Sequence, residues 1–345
     1  MRVVRLLRRF WVPLLAALGL ILAGTLVWAW TTPSGYFVLW PDKAHPTAAF
    51  LHVPGGARPA PGSGFYFVDV HEIEANKLEE LWGRYLVHGA TLVPVHELVL
   101  PGESQKEQAH QDIQAMDTSQ VVAEAVAEQA LGKPVTIRHL GALVEQVTPG
   151  LPAAKAGVQD GEVITAVNGE KVRSATDLIH LTGGLHPGDG ASFTITHLGT
   201  VHMITVRSTD GKNRAIIGVA IADDVRIGHI PVKVHYSIQG IGGPSAGLAF
   251  ALEIYDSLSG RHLLRGHRIA ATGELDPVGD VIEIGGAEQK ALGAIEAGAD
   301  TFIVPKANVA AARHAADGKL RVIGVSTFAQ ALRVIRGLRP AVSPN

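Results

Sequence analysis

The 345-residue sequence contains no cysteine, which excludes disulfide bonds, thiolate metal sites and a cysteine nucleophile. It also lacks the pattern Gly-x-x-x-x-Gly-Lys-Ser/Thr, so nothing in it predicts a P-loop ATPase. The zinc-peptidase pattern His-Glu-x-x-His is missing as well, and the spacing of its 16 histidines follows no helical ligand pattern. We therefore expect no metal and no other cofactor.

Charge is scarce too. Charged residues make up 18% of the chain and hydrophobic residues 47%, with a formal net charge of -2. A nearly neutral chain lacks the basic surface that nucleic-acid binding requires, so we expect no nucleic-acid partner. The apolar content is instead sufficient for sizeable folded cores, and the length allows two or three domains.

Long apolar runs are rare, and the longest lies close to the N-terminus. It extends over residues 10–30 without a charge and is preceded by four arginines, Arg2, Arg5, Arg8 and Arg9. As a helix, this run is long enough to cross a bilayer, and the basic flank favours a cytoplasmic N-terminus. We predict a cytoplasmic tail (1–9) and a transmembrane signal anchor (10–30), with the rest of this single-pass chain outside the cytoplasm.

A cleaved signal peptide is the alternative for this segment. Its apolar region is usually shorter and ends in a small-x-small site. Here Ala29 lies between Trp28 and Trp30, which favours an anchor that is retained.

Residues 31–130 carry no motif that we can assign to a function, and we interpret them as a linker and membrane-proximal region. Pro41–Gly64 is rich in Pro, Gly and Ala, as linkers are. Further on, Phe65–Val70 is a candidate strand, while His71–Leu86 and Gln120–Leu131 are candidate helices.

Three motifs in residues 131–208 resemble a PDZ domain of the kind found in bacterial proteases. They are Leu140-Gly-Ala-Leu-Val-Glu-Gln-Val147, Pro152-Ala-Ala-Lys-Ala-Gly-Val158 and Gly161-Glu-Val-Ile-Thr-Ala-Val-Asn-Gly169, in which Glu162 replaces the usual aspartate. The resemblance implies that a polypeptide, either a substrate or a regulator, binds as an added strand at a sheet edge. It also implies that the peptide-binding residues are Leu140, Gly141, Ala142 and Leu143.

A second set of motifs combines a serine with a lysine. Gly243-Pro244-Ser245-Ala246-Gly247 is followed by Thr272-Gly273-Glu274 and then by Lys290 in Gly285-Gly-Ala-Glu-Gln-Lys290. A serine hydroxyl becomes a nucleophile when a base takes its proton, and a lysine amine is such a base once burial has lowered its pKa. Pro244 suits the first turn of a helix, and Gly243 allows a close approach of the main chain.

Together these motifs resemble the proteolytic domain of the Lon family of serine/lysine peptidases, here over residues 215–340. The resemblance implies that Ser245 is the nucleophile and Lys290 the general base, with Thr272, Gly243 and Pro244 in support. It also raises the expectation of a homo-oligomer. Many members carry an acidic residue two positions before the proline, whereas this chain has Gly242 there.

Two alternatives remain open. Gly243-Pro-Ser-Ala-Gly247 also fits the Gly-x-Ser-x-Gly elbow of Ser-His-Asp hydrolases, with Asp276 or Asp280 and then His314 as partners. The other is a catalytically inactive membrane-anchored scaffold built from the same two domains.

The fold class expected is α/β (α+β), with an N-terminal transmembrane helix, a PDZ domain and a Lon proteolytic domain. Short apolar strands alternate with helices after Arg268, which predicts a sheet that is partly parallel towards the C-terminus. The expected function is an ATP-independent, membrane-anchored serine endopeptidase that cleaves exported or membrane-tethered polypeptides outside the cytoplasm.

Overall fold

The structure is a computed structural model that describes residues 2–95, 105–197, 199–210, 215–238 and 240–341. The chain divides into two compact units. Unit 1 combines Met1–Leu131 with Val232–Asn345, and unit 2 is Gly132–Pro231.

The N-terminal part of unit 1 begins with a long helix, α1 (Arg2–Thr31). Its segment Leu14–Thr31 has a mean hydropathy of 1.9, is unburied, and is long and apolar enough to cross a membrane. The elements that follow are β1 (Pro33–Pro46), β2 (Leu51–His52), β3 (Gly64–Asn76), α2 (Lys77–Leu86), β4 (Thr91–Pro94) and α3 (Gln105–Ala130).

The interpretation of Pro41–Gly64 as a linker is wrong for Pro41–Pro46 and Leu51–His52, which are strand residues. Residues Pro41–Pro46 continue β1, which pairs antiparallel with β3, and the register shifts between Pro41 and Ala44. Prolines are tolerated in a strand where its hydrogen-bond pairing is interrupted. This part of β1 can therefore contain the prolines that are otherwise typical of a loop. Helix α2 starts six residues later than expected, because Asn76 and Glu79 form a capping box at its N-terminus.

Unit 2 is built on one antiparallel sheet with the strand order β12-β5-β6-β8-β9. Its strands are β5 (Ile137–Val147), β6 (Val163–Val167), β7 (Glu170–Lys171), β8 (Gly190–His197), β9 (Thr200–Arg207), β10 (Thr209–Asp210), β11 (Ala215–Ile216) and β12 (Val219–Ile227), and its helices are α4 (Pro152–Ala156) and α5 (Ala175–Thr182). Buried Ile164, Phe193 and Ile195 form its core.

The predicted division between residues 208 and 215 does not match these units. Strand β12 pairs along its length with β5, from Val219 opposite Val147 to Ile227 opposite Ile137. The apolar pattern of residues 216–221 indicates a strand. The residues of a strand do not by themselves specify which distant strand it pairs with.

The C-terminal part of unit 1 completes the sheet begun by β1 and β3. It contains β13 (His235–Tyr236), a 3₁₀ turn (Pro244–Ala246), α6 (Gly247–Leu258), β14 (Arg268–Ala271), β15 (Glu274–Leu275), β16 (Val281–Ile282), α7 (Ala287–Glu296), β17 (Thr301–Pro305), α8 (Val309–Ala316), β18 (Arg321–Val325) and α9 (Phe328–Gly337). The sheet order is β18-β17-β14-β3-β1-β4. Neighbours from β18 to β3 are parallel, which confirms the partly parallel sheet predicted from the sequence.

Successive residues of β3 show that α6 and α7 lie on opposite faces of this sheet. The ring of Phe67 contacts that of Phe250 in α6, with centroids 5.5 Å apart. Val68, the next residue, packs in a buried cluster with Ala291 and Ala294 of α7. Because side chains alternate along a strand, one helix covers each face.

Candidate active site

The turn that carries Ser245 is fixed by a glycine and a proline. Gly243 has φ 84° and ψ 154°, a conformation that is essentially restricted to glycine. Its N–H donates to the carbonyl of Asp112 in α3 at 2.8 Å. Pro244 then starts the 3₁₀ turn, whose end leads directly into the buried helix α6.

Two further elements hold the main chain at Ser245. Its carbonyl accepts the Thr272 hydroxyl at 3.1 Å and the Gly273 N–H at 2.8 Å, both just after β14. The carbonyl of Pro244 accepts the hydroxyl of Ser119 in α3 at 3.0 Å. The serine therefore lies at a point where α3, α6 and the end of β14 meet.

Lys290 reaches the serine from the other face of the sheet. Gly286, in the left-handed conformation with φ 66°, precedes α7 and places Lys290 in its first turn. The lysine is 5% exposed, and its Nζ donates to Oγ of Ser245 at 2.7 Å. Burial lowers the pKa of Lys290 to about 8, although the negative charge of Asp69 acts in the opposite direction.

A close approach of α7 to the sheet makes this reach possible. A Cβ at Gly293 would clash with the carbonyl oxygen of Asp42 in β1, so only glycine fits there. A Cβ at Gly286 would lie 3.0 Å from Val70 in β3. Two glycines, four residues before and three residues after Lys290, thus let its helix lie against β1 and β3.

The Ser245–Lys290 pair lines a cavity of about 1210 Å³ with an acidic wall. Six acidic residues are among those that line it: Asp69, Glu72, Glu74, Asp112, Glu274 and Glu283. The pKa of Glu72 is raised by burial and by the nearby charges of Asp112 and Asp69. Burial also raises the pKa of Asp112.

The absence of an acidic side chain at Gly242 has a steric explanation here. A Cβ at this position would lie 2.9 Å from Cβ of Asp112 and 3.4 Å from its main-chain carbon. Position 242 therefore has no room for a side chain, and the acidic residues that line the cavity come from other segments, among them β3 and α3.

Sequence reasoning missed Asp69, Glu72 and Asp112. The available signal at Asp69 was a carboxylate inside the apolar run Phe65–Val70, which is unusual for a buried strand unless the group has a partner. No comparable signal marked Asp112, because the sequence predicted α3 to begin only at Gln120.

The Ser-His-Asp alternative is not supported by this geometry. His314 lies exposed on α8 and is not among the residues that line the cavity. Within the described part of the chain, no group of three or more His, Asp or Glu side chains is arranged to hold a metal ion.

The predicted peptide-binding residues of unit 2 need a correction. Leu140–Leu143 lie within β5, not in a loop, and β5 pairs with β12 on one side and β6 on the other. Ala142, for example, is opposite both Asp223 and Ile164. Ala142 and Leu143 are paired on both sides and cannot accept an added strand, so the prediction that a peptide adds at these two residues is wrong.

Strand β12 forms the end of the unit 2 sheet, next to α5. The N–H of Ala175, at the start of α5, donates to the carboxylate of Asp223 in β12. An edge strand beside a helix is the arrangement to which an extended peptide can add. Sequence reasoning placed this strand in the following domain and so overlooked it.

Two family models match the chain. Residues 121–207 match the model of the PDZ domain, and residues 221–335 match that of the Lon protease (S16) C-terminal proteolytic domain. The chain therefore carries both domains, as the sequence motifs indicated. The second match begins at residue 221, inside β12, although β12 pairs with β5 of unit 2.

Individual relatives give the same two kinds of similarity. Lon protease 2 of Herpetosiphon aurantiacus is 31% identical over 155 residues, which are 44% of this chain and 18% of that protein. Lon protease 1 of Bacillus subtilis is 31% identical over 159 residues, 45% of this chain and 19% of that protein. A probable periplasmic DegP-like serine endoprotease of Pseudomonas putida is 40% identical over 89 residues, which are 26% of this chain and 17% of that protein. The match spans less than a fifth of the length of each relative.

Proposed function

We propose that this chain is a membrane-anchored serine endopeptidase in which Ser245 is the nucleophile and Lys290 the general base. The observation that carries the proposal is the 2.7 Å contact between Nζ of Lys290 and Oγ of Ser245, made by a buried amine with a pKa of about 8. Near that pH a large fraction of the amine is neutral and able to accept a proton. The similarity of residues 221–335 to the Lon proteolytic domain supports the same function.

In the proposed reaction, neutral Lys290 takes the hydroxyl proton as Oγ of Ser245 attacks the carbonyl carbon of a peptide bond. The carbonyl π electrons move to the oxygen. We propose that main-chain N–H groups of Ser245 and Ala246 stabilise this oxyanion, because the first N–H groups of a helix have no acceptor within it. The C–N bond then breaks, and Lys290 returns the proton to the leaving amine.

The second half-reaction releases the acyl group. Lys290, neutral again, takes a proton from water, whose oxygen attacks the ester carbonyl. The ester C–O bond breaks, and the proton returns to Oγ of Ser245. Each cycle consumes one water and leaves the dyad unchanged.

The proposed substrates are flexible, exported or membrane-tethered polypeptides. Because no P-loop pattern occurs in this sequence, we propose that cleavage by it does not require ATP. In this proposal α1 anchors the chain with its N-terminus in the cytoplasm, and unit 2 binds polypeptides at the edge of β12. We also propose that the chain forms a homo-oligomer.

Peptide hydrolysis by the purified full-length chain in detergent tests the mechanism. The wild type should cleave an unstructured fluorogenic polypeptide without ATP and in the presence of EDTA. Ser245→Ala and Lys290→Arg should each lower the rate by about a thousandfold or more, because arginine stays charged and cannot accept the serine proton. Circular dichroism checks that both variants are folded.

The two alternatives give different results in this assay. Substantial activity in folded Lys290→Arg would contradict the serine/lysine mechanism. An inactive wild type would favour the scaffold. The proposed topology is tested separately by fusing a reporter after residue 345. A reporter that works only outside the cytoplasm should be active in this fusion, and one that works only in the cytoplasm should be inactive.

A further inference from the structure

Asp69 lies on the same side of the sheet as Ser245. Its neighbours Val68 and Val70 face α7, since Val68 packs with Ala291 and a Cβ at Gly286 would meet Val70. Side chains alternate along a strand, so Asp69 faces the other way. Phe67, two residues earlier on that face, contacts α6, the helix that follows Ser245.

The position of Asp69 along β3 also brings it level with the serine. The paired segment of β14 ends with Ala271 opposite Phe67, and β3 continues beyond this point. Thr272, the next residue after β14, holds the carbonyl of Ser245. Asp69 lies two residues beyond Phe67 and lines the same cavity as Ser245 and Lys290.

The charges of Asp69 and Lys290 act on each other in this partly buried place. Burial raises the pKa of Asp69, and the lysine charge opposes that effect. Burial lowers the pKa of Lys290, and the carboxylate opposes that effect in turn. One oxygen of Asp69 accepts the Val70 N–H at 2.8 Å, which fixes the orientation of the carboxyl group.

Other titratable groups surround this pair from β1, β3, α3 and the loops around α7. Asp42 and His45 of β1 act on Asp69 with opposite signs, and Asp42 also pairs with His71 at 3.3 Å. The other carboxyl groups of the cavity belong to Glu72, Glu74, Asp112, Glu274 and Glu283. Among all these described groups, Asp69 supplies the charge that opposes the effect of burial on Lys290.

We propose that Asp69 is a positioning residue for the Ser245–Lys290 pair, whose negative charge keeps the amine of Lys290 at the serine hydroxyl and sets the pH at which this amine becomes a base. Its role in catalysis rests on the proposed function, whereas its charge interaction with Lys290 does not.

The first test measures how hydrolysis of a short peptide by the full-length chain depends on pH. Wild-type activity should rise through pH 8 as Lys290 loses its proton. In Asp69→Asn the ammonium form loses its stabilising charge, so the midpoint should move to lower pH by about one unit. The plateau rate should fall by about tenfold or more, because the amine is held less well at the serine.

Two companion variants separate charge from structure. Asp69→Glu keeps the charge and should return the midpoint close to that of the wild type. Glu283→Gln removes one negative charge from an exposed position at the same cavity and should move the midpoint much less than Asp69→Asn. Equal shifts in Glu283→Gln and Asp69→Asn would overturn the proposal, because the cavity charge as a whole would then be responsible.

The second test does not depend on hydrolysis. In full-length Ser245→Ala, the pH dependence of Lys290 acetylation by trace acetic anhydride is followed by mass spectrometry, with and without Asp69→Asn. The labelling midpoint should be lower in the double variant. Unchanged midpoints would overturn the inference even if the wild type is a peptidase, whereas a shifted midpoint in a chain that cleaves no peptide would reject only the proposed function.

Discussion

The hydroxyl of Thr272 donates to the carbonyl oxygen of Ser245 at 3.1 Å, so the residue after β14 holds the main chain of the proposed nucleophile. Thr272 is fully buried. Thr272→Val keeps the shape and removes this bond, while the Gly273 N–H still donates to the same carbonyl. We expect a loss of about 1 kcal/mol in the free energy of unfolding. We also expect a fall of about tenfold in kcat, since the serine is held less firmly.

Thr301→Val is the matched control for this substitution. Thr301 is 1% exposed on β17, and its hydroxyl donates to Asp300 rather than to Ser245. It should lose stability without losing kcat. If Thr272→Val and Thr301→Val had equal kcat values, Thr272 would have only a structural role.

Gly243→Ala should harm the site through the backbone alone. A Cβ at this position would meet no atom within 4 Å, so no side-chain clash is involved. The cost comes from φ 84° and ψ 154°, which alanine adopts only with about 1–3 kcal/mol of strain. Relaxing that strain moves Ser245, and we expect kcat to fall by about ten- to a hundredfold.

Gly62→Ala is the control that separates the stability cost of backbone strain from the loss of kcat. Gly62 has φ 80° and open space around it, and it does not line the cavity. Thermal unfolding should show a cost for both glycine variants, whereas peptide hydrolysis should fall only in Gly243→Ala. A normal kcat in Gly243→Ala would mean that the turn tolerates the movement.

Lys290→Met should stabilise the fold at neutral pH while abolishing activity. The pKa of Lys290 falls from 10.5 in its unperturbed form to about 8, so at pH 7 the folded protein keeps a buried charge at a cost of up to about 3 kcal/mol. Methionine removes that cost and fills a similar volume, although it also loses the hydrogen bond to Ser245. We expect a net gain of roughly 1–3 kcal/mol in the free energy of unfolding at pH 7.

The gain should depend on pH in a defined direction. Between about pH 8 and 10.5 the unfolded chain still binds the lysine proton that the folded chain has released, so wild-type stability rises with pH. The advantage of Lys290→Met should therefore disappear near pH 10.5. Urea denaturation at several pH values measures this, and a constant difference between the two proteins would show that the lysine is not buried with a lowered pKa.

The local parts of the site could be read from the sequence. Pro244 indicated the first turn of a helix, and the role of a base required Lys290 to be buried. The structure has both features and brings the two side chains together. Such features depend on residues close in sequence, whose conformational preferences are local.

The long-range parts could not be read in this way. Strand β1 contains prolines that are typical of loops, yet it pairs with β3 over most of its length. Asp69 acts on Lys290 although 221 positions separate them in the printed sequence. The packing of α7 against β3 creates that neighbourhood, and no pattern within either segment specifies its partner.

In unit 2, too, the sequence did not show which strand pairs with which, since β12 pairs with β5. This pairing determines how the role of unit 2 should be tested. A deletion of residues 131–208, the segment that resembles a PDZ domain, would leave β12 without β5, its partner. The whole of Gly132–Pro231 should be removed instead. Both carboxylate oxygens of Glu128 accept the Val232 N–H at 3.1 Å, so the ends left by this deletion lie close together. A linker of a few glycines is therefore sufficient to join them.

This deletion should reduce cleavage of an unstructured protein by more than about tenfold while changing cleavage of a short peptide by less than about threefold. The reason is that unit 2 is proposed to capture chains at the edge of β12, whereas Ser245, Lys290 and the cavity belong to unit 1. Initial rates on both substrates, with circular dichroism of the shortened chain, measure the difference. Equal loss on the two substrates would mean that unit 2 supports the fold of the catalytic unit and does not select its substrates.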